Sequence, residues 1–167
     1  MLGSNLDGLA QQLRSRLERN LDMLDGVLRD YVESGELLEE VGAAAREMIV
    51  ERTTERRVDA GGRPFAPYSP GYAKWKARRF GHAGAPNLRL SGRMLGEITL
   101  KRDAPLAGRL SFAGTLSARI AAYHQGGRGR LPRRAFFGIR PGSVEAARLM
   151  EVVAREFERR LGGGRGR

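Results

Sequence analysis

Residues 123–138 read Tyr-His-Gln-Gly-Gly-Arg-Gly-Arg-Leu-Pro-Arg-Arg-Ala-Phe-Phe-Gly. A short amphipathic segment leads into a glycine-rich basic turn, and Pro132 sets the direction in which the chain leaves it. The aromatic and β-branched residues that follow favour a short strand at 136–140, in which Phe136 and Phe137 would point to opposite sides. We expect one ring in the core and the other either in the core or in a contact between subunits.

Two upstream stretches belong with this one. Residues 59–70 read Asp-Ala-Gly-Gly-Arg-Pro-Phe-Ala-Pro-Tyr-Ser-Pro, and residues 88–95 read Leu-Arg-Leu-Ser-Gly-Arg-Met-Leu. With residues 123–138 they resemble, in the same order, three motifs of the tailed-phage virion morphogenesis family of tail-completion and neck proteins. The resemblance spans residues 50–158. The residues that match the family motifs, and to which the resemblance gives structural roles, are Asp59, Gly62, Phe65, Pro67, Ser91, Gly92, Tyr123, His124, Gln125, Gly126, Pro132, Arg134, Phe136 and Gly138.

The resemblance implies a small sheet backed by helices that assembles into a ring around the tail or neck channel. A six-fold homo-oligomer in the virion is expected, in contact with neck or stopper proteins and with the tail tube. It would be made in the host cytoplasm and would sit at the neck or at the head-proximal end of the tail. The resemblance leaves open whether the ring terminates the tail tube or joins the tail to the head.

The charge of the chain is unevenly distributed. Its net charge is +11, yet residues 1–60 carry 8 arginines against 13 acidic residues, a net charge of −5. Residues 61–167 carry 22 basic against 6 acidic residues, a net charge of +16. Such an asymmetry predicts that the basic part faces an anionic partner, which is nucleic acid, an acidic protein ring, or both.

Hydrophobic periodicity and capping residues predict an α+β protein. Leucines at positions 6, 9, 13, 17, 21, 24 and 28 form one face of a helix over 5–34, and a second helix over 36–57 completes an antiparallel hairpin. A basic helix at 71–80 and a short helix begun by Ser91 precede a β-hairpin, with strands at 98–102 and 109–113. A helix at 117–124 follows, and Ser143 caps a C-terminal helix whose inward residues are Val144, Ala147, Leu149, Met150, Val153 and Phe157. We assign residues 1–57 to a helical arm, 58–161 to the α+β core and 162–167 to a basic tail.

The cations outside the helical arm are the candidate assembly residues. Trp75 lies among several of them and is interpreted as a core anchor, whereas the cations favour an anionic partner. We predict that they face an assembly surface or the lumen of the ring. They are Lys74, Lys76, Arg78, Arg79, Arg128, Arg130, Arg133 and Arg134.

Catalytic and metal-binding chemistry find little support. His82 and His124 are the only histidines, neither has a second ligand at metal-binding spacing, and the chain has no cysteine. Acids are scarce after Gly61, and the glycine-rich turn lacks the ending of a phosphate-binding loop. We therefore expect a structural protein without cofactor, metal or membrane span. The alternative is a sequence-nonspecific nucleic-acid-binding protein that uses residues 72–80 and 126–134.

Overall fold

The computed structural model describes residues 15, 18–19, 22–23, 25–81 and 83–162. Residues 25–34 are helical and are called α1; residues 15, 18–19 and 22–23 are helical as well. The remaining elements are α2 (Glu36–Glu51), a π-helical turn (Arg52–Arg56), α3 (Pro70–Phe80), α4 (Arg93–Gly96), β1 (Ile98–Ala104), β2 (Ala107–Phe112), α5 (Thr115–Gly126) and α6 (Val144–Gly162). The predicted α+β class, with a small antiparallel sheet and a C-terminal helix, is confirmed.

A single glycine separates α1 from α2. Gly35 has a φ of 83°, in the left-handed region that glycine adopts without strain. The Arg102 guanidinium of β1 donates hydrogen bonds of 2.6 Å to the carbonyl oxygens of Glu33 and Ser34. A cation at this end of α1 satisfies carbonyls that have no partner within the helix and complements the helix dipole.

The predicted leucine face of the first helix lies mostly outside the described residues. Leu6, Leu9, Leu13, Leu17, Leu21 and Leu24 all belong there. Leu28 is half-buried, and Tyr31, one turn further on, is buried against Phe157 of α6 with the two ring centroids 6.4 Å apart. The antiparallel hairpin and the three-part division of the chain remain predictions.

Helices α2 and α6 pack antiparallel, with an ion pair near each end. Glu36 pairs with Arg160, and Arg52 pairs with Glu145. The predicted inward face of α6 is partly wrong, because Val144, Ala147 and Met150 are exposed.

The buried residues of α6 are instead two glutamates, and nearby arginines form ion pairs with both carboxylates. Glu145 accepts from Arg52 and Arg56, and Glu156 accepts from Arg159 and from the Tyr31 hydroxyl. A buried carboxylate needs such partners. Pairing with these groups therefore decides the rotation of α6 about its axis, ahead of its apolar periodicity.

The predicted hairpin is confirmed, as are the starts of α3 and α6. β1 and β2 pair antiparallel, with Ile98 opposite Phe112 and Leu100 opposite Leu110. Ser69 Oγ accepts from the amide of Tyr72 at the start of α3, and Ser143 Oγ accepts from that of Ala146 at the start of α6. Two predicted starts are wrong: α5 begins at Thr115 and not at Ser117, and the N-cap of α4 is Gly92, although Ser91 Oγ accepts from the amide of Arg93. Capping serines satisfy amides that the first helical turn leaves unpaired.

One core joins these elements. It is formed by Ile49 of α2, Phe65, Met94 and Leu95 of α4, Ile98 of β1, Ala121 of α5 and Phe136. Phe112, Phe137 and Ile139 pack against it, so both phenylalanines of the pair face the core. The strand predicted at 136–140 is wrong, since the chain bends at residues 137–138 and these residues form no ladder within the described chain.

Candidate assembly surface

The segment after Pro132 is held by side chains in place of a neighbouring strand. The Gln125 amide accepts a hydrogen bond from the Phe137 backbone N–H at 3.0 Å and donates one to the Phe137 carbonyl at 2.9 Å. A side-chain amide thus supplies the pair of bonds that a strand would supply. The Ala135 carbonyl accepts from the amide of Ala60, which ties the segment to the 59–63 loop.

Arg52 holds the same segment from the other side. It is almost fully buried, and its guanidinium donates to the carbonyl oxygens of Phe136 and Gly138, the latter at 2.8 Å, and to the Glu145 carboxylate. Arg52 was not among the site residues predicted from the sequence. The sequence does contain a signal for its burial: Arg52 follows Ile49 by three residues and continues the apolar stripe of α2. A cation on such a stripe requires a buried partner.

The structure corrects the placement of Arg134. Only 2% of this residue is exposed, and its guanidinium donates to the Ala66 carbonyl at 2.8 Å and to the Pro67 carbonyl at 3.1 Å. Burial lowers the pKa of the guanidinium. The Arg134 side chain faces the interior of the subunit, where it bonds to the carbonyls of Ala66 and Pro67. It thereby connects the first family motif, at 59–70, to the third, at 123–138.

Lys76 also differs from its prediction. It is 6% exposed, and its ammonium donates to the Tyr68 hydroxyl at 3.2 Å and lies 4.8 Å from the centre of the Tyr68 ring. The Arg134 guanidinium lies 5.6 Å from the centre of the same ring. Tyr68 therefore takes two of the predicted surface cations into the subunit by cation–π contact.

Asp59 organises the turn of the first motif. Its carboxylate accepts from the backbone amides of Gly61 and Arg63, at 2.8 and 3.0 Å, and from the Arg63 side chain. Burial raises the pKa of Asp59, but the two amides and the Arg63 guanidinium outweigh that effect and leave the pKa below its usual value. The carboxylate of Asp59 serves to hold a loop.

His124 lies at the end of α5, beneath Arg134. Its carbonyl accepts from the Arg134 amide at 2.7 Å, and its ring is partly buried. Burial, and then the neighbouring Arg134 charge, lower the pKa of His124, so that the ring is neutral near pH 7. Within the described part of the chain, no group of three or more His, Asp or Glu residues is placed to hold a metal ion.

Six of the predicted assembly cations are exposed, in two groups. Arg128, Arg130 and Arg133 lie on the turn after α5, which hydrogen bonds between Arg128 and Leu131 close. Arg128 stacks 4.7 Å from the centre of the Tyr123 ring, and Arg133 donates to the Gln125 carbonyl at 3.2 Å. The other group, Lys74, Arg78 and Arg79, is here called the basic face of α3. Arg134, which follows the turn, contacts the segment before α3: its guanidinium lies 5.6 Å from the centre of the Tyr68 ring and donates to the Pro67 carbonyl.

An aromatic ladder runs along α3 beside the basic face. It consists of Tyr68, Tyr72, Trp75 and Phe80, whose successive ring centroids are 4.9, 5.3 and 6.0 Å apart. Trp75 is 46% exposed, so its interpretation as a core anchor is wrong. The Trp75 ring packs on Tyr72 and Phe80, which lie three residues before it and five residues after it on α3. None of the core elements covers it.

An open apolar groove adjoins the ladder. It has a volume of about 670 Å³ and lies between the start of α3, the 88–94 segment, α5 and the turn at 130–134. Leu90, Leu116 and Ile120 line it and are exposed to solvent, while Tyr68 and Tyr72 belong to both the groove and the ladder. Contiguous exposed apolar side chains of this kind mark a surface that a partner covers.

The sequence matches the phage virion morphogenesis family over residues 15–158. The chain belongs to this family. Membership associates the protein with the virion and gives it a structural or assembly role; the family is not known as an enzyme family. Searches of curated proteins and of solved structures find no match.

The family motifs occupy structural positions in this member. Phe65 and Phe136 lie in the core, and the Pro67 and Gly138 carbonyls accept from Arg134 and Arg52. The remaining positions shape turns and surfaces. Gly62 and Gly92 have positive φ, Ser91 Oγ accepts from the amide of Arg93, Gly126 ends α5, and Tyr123 and Pro132 line the groove. The motifs thus build the loops that surround the groove.

The described residues contain no helix that is both long and apolar enough to cross a membrane.

Proposed function

We propose that the protein is a ring-forming subunit of the neck or tail-completion type, which closes the tail tube or joins the tail to the head. The observation that carries this proposal is the exposed aromatic ladder beside the open groove, in a chain from a virion assembly family. A subunit that exposes both surfaces is suited to contacts with copies of itself and with neighbouring virion proteins. It works by matching surfaces, without catalysis, cofactor or membrane contact.

A ring of six subunits fits this role, with neck or stopper proteins on one side and the tail tube on the other. Closed symmetric rings arise when each subunit joins the next through two different surfaces. The exposed arginines at 128, 130 and 133 support a lumen that tolerates passing DNA, since cations bind phosphates without reading the sequence.

Electron microscopy of particles from a phage with a nonsense mutation in this gene would test the proposal. Loss of a tail terminator is expected to give tubes of uncontrolled length, whereas loss of a joining subunit gives tubes of normal length beside separate filled heads. Antibody labelling of wild-type virions should mark the junction of head and tail. Normal infectious virions from the mutant, or label confined to another part of the particle, would refute the proposal.

Nucleic-acid binding as the main function is the second candidate, and the exposed cations of both groups favour it. A monomer or dimer that binds duplex DNA with a steep dependence on salt would support it. A closed oligomer that forms equally well without DNA would exclude it.

A further inference from the structure

The exposed face of α3 has the composition of a protein-binding surface. Tyr72, Trp75 and Phe80 are 38, 46 and 43% exposed, and Lys74, Arg78 and Arg79 flank them without an ion pair among the described residues. Aromatic residues and arginine are the types that most often dominate binding energy at protein interfaces.

The stacking of the ladder favours a protein over nucleic acid as the partner. Proteins that bind single strands hold bases on aromatic faces that are free to stack. Here the Tyr72 ring packs against both Tyr68 and Trp75, and Trp75 packs in turn against Phe80. Neighbouring rings therefore cover part of the faces on which a base would stack.

A surface that complements it lies elsewhere on the same chain. Glu40, Glu47 and Glu51 are exposed on α2 at intervals of seven and four residues, which places them on one face of the helix. None of the three forms an ion pair within the described residues. We call these three residues the acidic stripe. Ala43 is exposed between Glu40 and Glu47, and its small side chain leaves room there for a ring.

From these two surfaces we infer that the basic face and aromatic ladder of one subunit dock on the acidic stripe of a second copy. With Trp75 packed near Ala43, Lys74 would pair with Glu40, and Arg78 and Arg79 would pair with Glu47. Lys74 and Arg79 are about 8 Å apart along α3, and Glu40 and Glu47 are about 10 Å apart along α2, at 1.5 Å per residue. The contact joins two different surfaces, as a ring requires. This inference rests on the proposed ring and names the surfaces that close it.

Charge reversal in the full-length chain tests the pairing. One variant carries Glu40→Lys, Glu47→Lys and Glu51→Lys; a second carries Lys74→Glu, Arg78→Glu and Arg79→Glu; a third carries all six changes. Native mass spectrometry should show a closed oligomer for the wild type and loss of that species in each triple variant. The closed oligomer should return in the variant that carries all six changes. The far-ultraviolet circular dichroism spectrum should be the same for all four proteins, which would show that the dissociated subunits remain folded.

Reversal at exposed charges of α6 is the matched control. Arg148→Glu with Arg155→Glu, and Glu151→Lys with Glu158→Lys, should leave the oligomer intact. Triple variants that assemble as well as the wild type would overturn the inference but leave the proposed ring unaffected. Failure of the variant with all six changes to assemble would also overturn the inference. Loss of duplex-DNA binding in the Lys74, Arg78 and Arg79 variant, with unchanged assembly, would assign α3 to nucleic acid. A wild-type chain that forms no closed oligomer, alone or on tail tubes, would refute the ring and this inference together.

Discussion

At the scale of single residues, the arginines divide by the partners that they find. Arg52 and Arg134 are buried and donate to backbone carbonyls of loops, whereas Arg128 and Arg130 are exposed. Removing one partner of a buried ion pair leaves an uncompensated charge, which is far more costly than loss of an exposed pair. Substitution of these arginines should therefore have two different classes of effect.

Arg52→Met should lower the free energy of unfolding by ~3–5 kcal/mol, because Glu145 loses its buried partner and two carbonyls lose a donor. Arg56 also donates to Glu145 but is exposed, so Arg56→Met should cost less than ~1 kcal/mol. Urea denaturation of both variants measures the difference. Equal effects would show that burial of Arg52 does not govern the pair, and the double variant Arg52→Met, Glu145→Met should recover part of the loss.

His124 should make stability depend on pH. Because burial and Arg134 lower its pKa in the folded state, the unfolded chain binds a proton first as the pH falls through about 6.5. The stabilisation by the neutral ring is complete above that pH and is lost as the pH falls towards the lower, folded-state pKa. The melting temperature should thus fall between pH 7.5 and 5.5, and His124→Gln should reduce the fall.

The chain has only two histidines, so the variant His124→Gln, His82→Ala contains none. His82→Ala alone serves as the control and should leave most of the pH dependence in place. An unchanged pH dependence in His124→Gln would contradict the assignment.

At the scale of elements, the turn after α5 contains residues with two different roles. Some hold the turn in shape, and others are exposed to solvent. Gly127 has a φ of 74°, and a side chain there would crowd the backbone of Leu131 and Arg133. The turn is closed by its own backbone bonds, and its cations remain exposed to solvent while Arg134 anchors its exit.

Arg128→Glu with Arg130→Glu should impair virion assembly but leave the subunit folded. The expected loss of stability is about 1 kcal/mol or less, since the stacking of Arg128 on Tyr123 is an exposed cation–π contact. Arg134→Gln should cost more, ~1–3 kcal/mol, because buried carbonyls at Ala66 and Pro67 lose their donor. Thermal melting and a phage complementation assay measure the two properties, and collapse of the Arg128, Arg130 variant would make those residues structural.

The first helix belongs to the same scale. Leu17 and Leu21 lie outside the described residues, and the prediction for their face rests on its periodicity. Leu17→Ala and Leu21→Ala should each lower stability by ~2–5 kcal/mol or break the oligomer. Asp22→Ala, at an exposed position of the same segment, is the control. Full exposure of both leucines in an assembled particle would refute the prediction.

At the scale of the whole molecule, we expect assembly without chemistry. General acid–base catalysis needs a positioned titratable pair, and metal catalysis needs clustered ligands. The histidine-free variant, if folded, should still yield infectious phage, and particles should form normally after chelation of divalent metals. Complementation in the parent phage measures both, and loss of infectivity in either test would point to an undetected site.

Most of the elements, and the family, could be predicted from the amino-acid sequence. Periodicity, capping serines and glycines act within a few residues, so α2, α3, the hairpin and α6 could be predicted, and three ordered motifs were enough for the family. Tertiary structure alone decided which arginines are buried, how α6 is rotated and whether residues 136–140 form a strand. Arg52 meets Glu145 across 93 residues, and Gln125 takes the place of a strand beside Phe137. Such partners are chosen by the folded geometry, because a buried cation or carbonyl bonds to whatever group the packing brings within reach.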